Sequence, residues 1–360
     1  MTSMEAGNAA KKGILAAKPD AEVWLSPLAD GGEGTVDALI EGLGAKKIPV
    51  TVTGPLGEKV SCYYGFLEET KSAVMEMASA AGITLVTKKD PLRASTYGVG
   101  EMIADALKRG CKNFMIGIGG SATNDGGIGM LKALGFEFFD EDGNDVGEGA
   151  AALAKIEVIR TENKNPLLSG AKFQIACDVK NPLCGKQGAT YIFGSQKGVT
   201  EEQKDQIDEA MRHYADVTKE SLDCDFADCE GAGAAGGLGY AFLSYLAGEL
   251  IPGVELILQA TGLEEKMKNA DVVVTGEGRL DAQTVMGKAP AGVAALAKKY
   301  NAKVIAFAGS VASEAKVCNR AGIDAFFPIV RGVTTLEEAM KKENAMENIA
   351  ATAEQVFRLL

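Results

Sequence analysis

Four times along this chain an apolar stretch runs straight into a polar loop that holds glycines and at least one carboxylate. The loops are ADGGEGT (29–35), GGSATNDGG (119–127), CDVKNPLCG (177–185) and TGEGRLDAQTVMGK (275–288). A strand–loop–helix rhythm of this kind indicates α/β architecture. In open α/β sheets, ligands sit beyond the carboxyl ends of the strands, where such loops lie. One acidic residue on one loop would be an N-cap or a turn residue. Four together are harder to explain as turns; loops that lie apart are the alternative reading. Glycine, at 44 of 360 residues, is enriched to roughly 12% against a usual ~7%, without collagen-like periodicity. These glycines serve loops that bend sharply or approach something closely.

The remaining texture fills in the elements. The opening residues read as an amphipathic helix, followed by a short strand at Val23 to Leu28 and a helix at Thr35 to Leu43. From Lys47, three β-branched and aromatic runs separated by turn signals predict an antiparallel meander. STYGVGEMIADALKRG reads as a helix with Ser95 as N-cap, then the strand KNFMIGI, a glycine-rich loop and the helix GIGMLKALG. Phe173 to Asp178 forms another strand, Glu201 to Glu220 a long polar helix, and GAGAAGGLG opens a helix ending near Gly248. After residue 270 the pattern becomes strand–loop–helix again. The expected organisation is discontinuous: residues 1–50 and 286–360 form an outer domain, and 51–285 a mixed α/β insert.

Charge and composition exclude several classes. The formal charge of -12 would repel a polyanion, which disfavours nucleic acid and anionic membrane as partners. No apolar run approaches the ~20 residues of a membrane helix. Seven scattered cysteines without a CxxC pair, and no signal peptide, predict a reduced cytoplasmic protein. The lone histidine, His213, falls on the polar helix and reads as a surface residue, which removes most Ser–His–Asp and multi-His metal chemistry. What is left suits phosphoryl transfer, which needs positioning and charge more than a protein nucleophile. No Walker A motif is present. GIGGSA (117–122) and GAGAAG (231–236) match the dinucleotide fingerprint weakly. The first follows a strand and continues into Asn124 and Asp125, polar groups more suited to a phosphate–metal site. The second reads equally well as a tight packing turn.

ADGGEGTVDAL, STYGVGEMI, GIGGSATNDGGIGMLKALG, ACDVKNPLCGKQGA and TGEGRLDAQTVMGK together resemble, in order and over essentially the whole chain, the bacterial glycerate kinases that form 2-phosphoglycerate. The resemblance implies a two-domain α/β protein whose Rossmann-like parallel-sheet domain is built from both chain ends. It also implies ATP and Mg2+ as cofactors and D-glycerate as the small-molecule substrate, and leaves a homo-oligomer open. The family pattern starts with a short strand and an APDSFK-like segment that this sequence is expected to lack. That keeps a catalytically impaired ligand-binding protein as one alternative; a nicotinamide-dependent oxidoreductase using GIGGSA is the other.

On the kinase reading, Gly119, Gly120 and Ser121 are expected to hold ATP phosphates with Asn124, and Asp125 to hold Mg2+. Arg279 and Lys288 would meet phosphate oxygens or the glycerate carboxylate, Arg being the better bidentate partner. Asp30, Glu33 and Asn181 are substrate-side candidates, and Asp178 and Asp281 complete the carboxylate set of an interdomain cleft. Asp178 is the expected general base, because it ends an apolar strand where partial burial would raise its pKa; a cap on the Asn181–Pro182 turn is the competing reading.

Overall fold

The computed structural model describes the chain except for residues 27, 29–34 and 286–287, and the side chains of Thr35, Ala38 and Glu41. It separates into two compact units. One comprises Met1–Asp30, Glu41–Leu43 and Ile257–Leu360; the other comprises Gly31–Ile40 and Gly44–Leu256. The chain passes from the second unit into the first inside helix Gly253–Ala260.

The larger unit is built on a mixed six-stranded sheet. Strands β1 (Lys46–Thr53), β2 (Lys59–Leu67) and β3 (Ser72–Glu76) form the expected meander, and β4 (Asn113–Gly117) continues the sheet parallel to β3. A small ribbon of β5 (Glu137–Phe139) and β6 (Val158–Arg160) stands apart from it. β7 (Lys172–Ala176) and β8 (Glu249–Ile251) complete the order β1-β2-β3-β4-β7-β8. Pro49 is tolerated in β1 because that strand lies at the sheet edge. Phe114 of β4 and Phe173 of β7 are register partners with stacked rings 4.8 Å apart. Such cross-strand pairs are the unit of sheet stabilisation. Helix Tyr97–Lys108 buries Val99, Met102, Ile103, Ala106 and Leu107 in the core, an apolar stripe at helical spacing. Its N-cap is Thr96 rather than the expected Ser95, whose hydroxyl nonetheless accepts from the Tyr97 amide at 3.1 Å.

The smaller unit carries three parallel strands, β9 (Val272–Leu280), β10 (Lys303–Val311) and β11 (Ala325–Pro328), in the order β11-β10-β9. The expected return crossing at residue 286 therefore moves to 257, because β9 takes its parallel partner from β10. Helices Ser3–Ala17 and Lys342–Phe357, from opposite ends of the chain, pack on one another and on Ile305 and Phe307. Gly13 makes the approach possible: a Cβ there would lie 2.0 Å from the Ala350 carbonyl oxygen. The strand expected at Val23–Leu28 does not form among the described residues. Helix Ser3–Ala17 takes its backbone groups instead, Lys11 donating to the Val23 carbonyl and the Leu28 amide to the Ser3 hydroxyl. Among the described residues, no helix is long and apolar enough to cross a membrane.

Candidate functional site

In the larger unit β3, β4 and β7 are adjacent and parallel, with Glu76, Gly117 and Ala176 in register at their carboxyl ends. The loops that follow therefore start from one edge. After β4 the chain presents Gly119 and Gly120 to solvent, Gly120 at φ +74°, with open space where a Gly119 side chain would stand. The segment behind is pinned: the Ile83 amide donates to the Gly120 carbonyl and the Ala122 amide to that of Ala81, both at 2.9 Å. Ser121 is nearly buried and bridges to Gly82. An exposed glycine tip on a fixed base leaves peptide groups open to an anionic ligand.

The rest of that loop faces inward. Asn124 is completely buried, and its amide nitrogen donates to the Thr190 hydroxyl at 3.0 Å. It is thus removed from the nucleotide-binding role expected of it. Asp125 is also completely buried. Its Oδ2 accepts from the Thr96 amide and hydroxyl, both at 2.8 Å, and from the Gly129 amide, while Oδ1 accepts from Gly127. With four donors in place the carboxylate is the organiser of the loop, and the expected metal-holding role gives way to this one. The GAGAAG segment takes the packing alternative. A Cβ on Gly236, which sits at φ +72°, would lie 2.2 Å from the Thr123 carbonyl oxygen, so the segment forms the floor beneath the loop.

Lys197 lies buried beside this loop, its ammonium donating to the Thr123 carbonyl at 2.7 Å. Burial pushes the Asp125 carboxyl up, against the opposing effect of its four donors, and pushes Lys197 down to about 7, against the attraction of Asp125. An unfolded lysine holds its proton to about pH 10.4. Between pH 7 and that value the unfolded chain binds more protons at this position, so stability rises with pH. The wild-type chain is expected to gain on the order of 1–2 kcal/mol from this group between pH 7 and 8.5. Urea melts of wild type and Lys197→Met across that range check it; parallel pH slopes would reject the assignment.

After β7, Asp178 is exposed, and its Oδ1 accepts from the Gly253 amide at 2.9 Å. The expected burial is absent, and with it the physical basis for a general base; the carboxylate caps the first turn of helix Gly253–Ala260. Asn181 is engaged within its own loop, donating to the Gln187 carbonyl at 2.8 Å. Sequence reasoning passes over Glu76, whose carboxylate accepts from the Val36 amide at 3.0 Å at the start of helix Thr35–Leu43. The signal is there: a charge at the end of the apolar strand SAVME. Asp30 and Glu33 lie outside the described residues. His213 bonds to the Ile156 carbonyl, and all seven cysteines are free.

The smaller unit gathers the other candidates. β9 runs through Leu280, with Glu277 opposite Ala308 and Arg279 opposite Ser310, so the first half of the expected loop 275–288 is strand. This places Arg279, Asp281 and Lys288 around Glu277, a residue that the sequence pattern does not single out. The buried Thr284 hydroxyl donates to Glu277 Oε1 at 2.5 Å and accepts from the Asp281 amide at 3.1 Å. Lys288 Nζ stands 3.9 Å from Glu277 Oε2, and the exposed Arg279 guanidinium 3.7 Å from Asp281 Oδ2. The two cations are held loosely enough to be recruited by an anionic ligand. Among the described residues, no three His, Cys, Asp or Glu side chains gather into a metal cage. Mg2+ carried on nucleotide phosphates needs only one or two protein carboxylates, and the exposed Asp178 suits such a partner.

The profile of the Glycerate kinase family matches residues 1–360. The chain is 44% identical to a glycerate kinase of Bacillus subtilis (strain 168), over 99% of this chain and 93% of that one. It is also 44% identical to the glycerate 2-kinase of Escherichia coli (strain K12), over 98% and 94% respectively. A crystal structure of a provisionally named glycerate kinase 2 from Salmonella typhimurium LT2 matches with a TM-score of 0.91 at 42% identity, covering 100% of this chain and 94% of its own. A family profile spanning every residue, and relatives this similar along almost their whole length, decide the matter: the chain belongs to the glycerate kinase family of phosphotransferases.

Proposed function

We propose that the chain transfers the γ-phosphoryl group of ATP to D-glycerate, giving 2-phosphoglycerate, with Mg2+ as the metal. The observation that carries this reading is the exposed Gly119–Gly120 tip, fixed from behind, at the carboxyl edge of parallel strands. Its peptide groups suit the ATP phosphates, and Ser121 sets the tip's base. Phosphoryl transfer calls for positioning and electrostatic stabilisation. In the smaller unit Arg279 offers a fork for the glycerate carboxylate, and Lys288 a point charge for phosphate oxygens. Glu277, steadied by Thr284, orients Lys288, and Asp281 is the carboxylate assigned to the substrate hydroxyl proton. Mg2+ bound to the phosphates would neutralise charge that develops during transfer. The free cysteines fit a reducing compartment such as the cytoplasm.

A coupled assay decides. ADP release that requires both ATP with Mg2+ and D-glycerate supports the proposal, with 2-phosphoglycerate identified by NMR as the product. A nicotinamide absorbance change with no ADP release would replace it with the oxidoreductase reading, and ligand binding without turnover with the non-catalytic one.

A further inference from the structure

Lys197 closes the turn Ser195–Lys197 ahead of helix Glu201–Leu222, and only 2% of its surface is exposed. Taking an ammonium out of water is expensive, and an apolar side chain of the same length would fill the space without that cost. Stability therefore gives no reason for a lysine here. Its surroundings do. The ammonium donates to the carbonyl of Thr123, two residues beyond Ser121, and Asp125 supplies the negative charge it faces. The same Asp125 ties the loop to Thr96 and to the Gly127 and Gly129 amides. Thr123 and Asn124 are themselves completely buried, and each keeps one side-chain oxygen without a partner. Asn124 is tied through its side chain to Thr190, and the Thr123 backbone carbonyl is gripped by Lys197.

We infer that Lys197 is a positioning residue for nucleotide binding: it grips the Thr123 carbonyl beside Asp125, and so holds the Gly119–Gly120 tip in one arrangement. A buried polar group kept at a cost in stability is understandable where it selects a single conformation. The inference rests on the reading of that tip as the holder of ATP phosphates.

The test uses the full chain carrying Lys197→Met. KM for ATP is expected to rise about tenfold or more, with KM for D-glycerate changed by less than about twofold. Without nucleotide, amide hydrogen exchange across residues 118–123 is expected to quicken about tenfold. A lower melting temperature with unchanged KM for ATP and unchanged exchange would make Lys197 merely structural and overturn the inference. Should the Met variant fail to fold, Lys197→Leu, which likewise removes the donor, takes its place in both measurements. Raised KM for ATP with faster exchange then supports the inference, and no change in either overturns it. A wild-type chain that forms no ADP with D-glycerate would overturn the functional reading instead. The exchange measurement, made without nucleotide, then still decides whether Lys197 holds the tip.

Discussion

Asp125→Ala is expected to cost about 3–5 kcal/mol, the scale seen when one partner of a buried charge pair is removed. The substitution strands the Thr96 hydroxyl and the Thr96, Gly127 and Gly129 amides, and removes the carboxylate that Lys197 faces. Chemical denaturation followed by tryptophan-independent probes, such as far-UV circular dichroism, measures it. A loss below about 1 kcal/mol would put Asp125 in the class of ordinary surface substitutions and contradict its role as the loop's organiser. Activity should fall along with stability, because the glycine tip stands on the same loop. Asp125→Asn keeps the volume but brings an NH2 group toward backbone donors, so it should recover only part of the loss.

Arg279→Ala should do the opposite. The guanidinium side chain is 66% exposed and stands 3.7 Å from its carboxylate partner, so removing it should change stability by less than about 0.5 kcal/mol. If it meets the carboxylate of D-glycerate or the transferred group, kcat/KM should fall roughly 10²–10³-fold, as for loss of a donor aimed at transition-state charge. Arg279→Lys should recover little, because an ammonium does not reproduce a bidentate fork. Steady-state kinetics on folded Arg279→Ala protein checks this, and near-normal kcat/KM would return Arg279 to the ordinary surface.

The fold is legible where hydrophobic periodicity meets clear punctuation. The meander from Lys46 to Glu76, the polar helix Glu201–Leu222 and the alternation after residue 270 all announce themselves locally. The segment at Val23–Leu28 misleads because its apolar run looks like a strand, whereas its backbone bonds to side chains of the first helix. Such a partner is tertiary information. The TGEGR segment misleads in the other direction: glycines suggest a loop, yet they let β9 and β10 approach closely, a Cβ on Gly276 falling 2.3 Å from the Phe307 carbonyl oxygen.

The candidate site is legible as loops but less so as roles. Gly119 and Gly120 are exposed as a ligand-holding tip should be, while Asn124 and Asp125, in the same nine residues, turn inward. Nothing in the spacing separates the two behaviours, because burial is decided by what packs behind the loop: the GAGAAG floor and Lys197. Glu76 and Glu277 are hidden by their position within strands, where a carboxylate reads as the solvent-facing half of an alternation.

The pairing of helix Ser3–Ala17 with helix Lys342–Phe357 bears on how the chain comes off the ribosome. The first helix is made some 325 residues before its partner, counting from Ala17 to Lys342. At ordinary elongation rates of about 5–20 residues per second, that is a wait of roughly 16–65 s. The larger unit can complete its sheet in this interval, since its strands lie wholly between residues 46 and 251. The apolar face of Ala9, Ala10 and Ile14 meanwhile lacks its docking surface. Its burial is complete only once helix Lys342–Phe357 has been made. Until then it is exposed apolar surface of the kind that makes a nascent chain prone to aggregation.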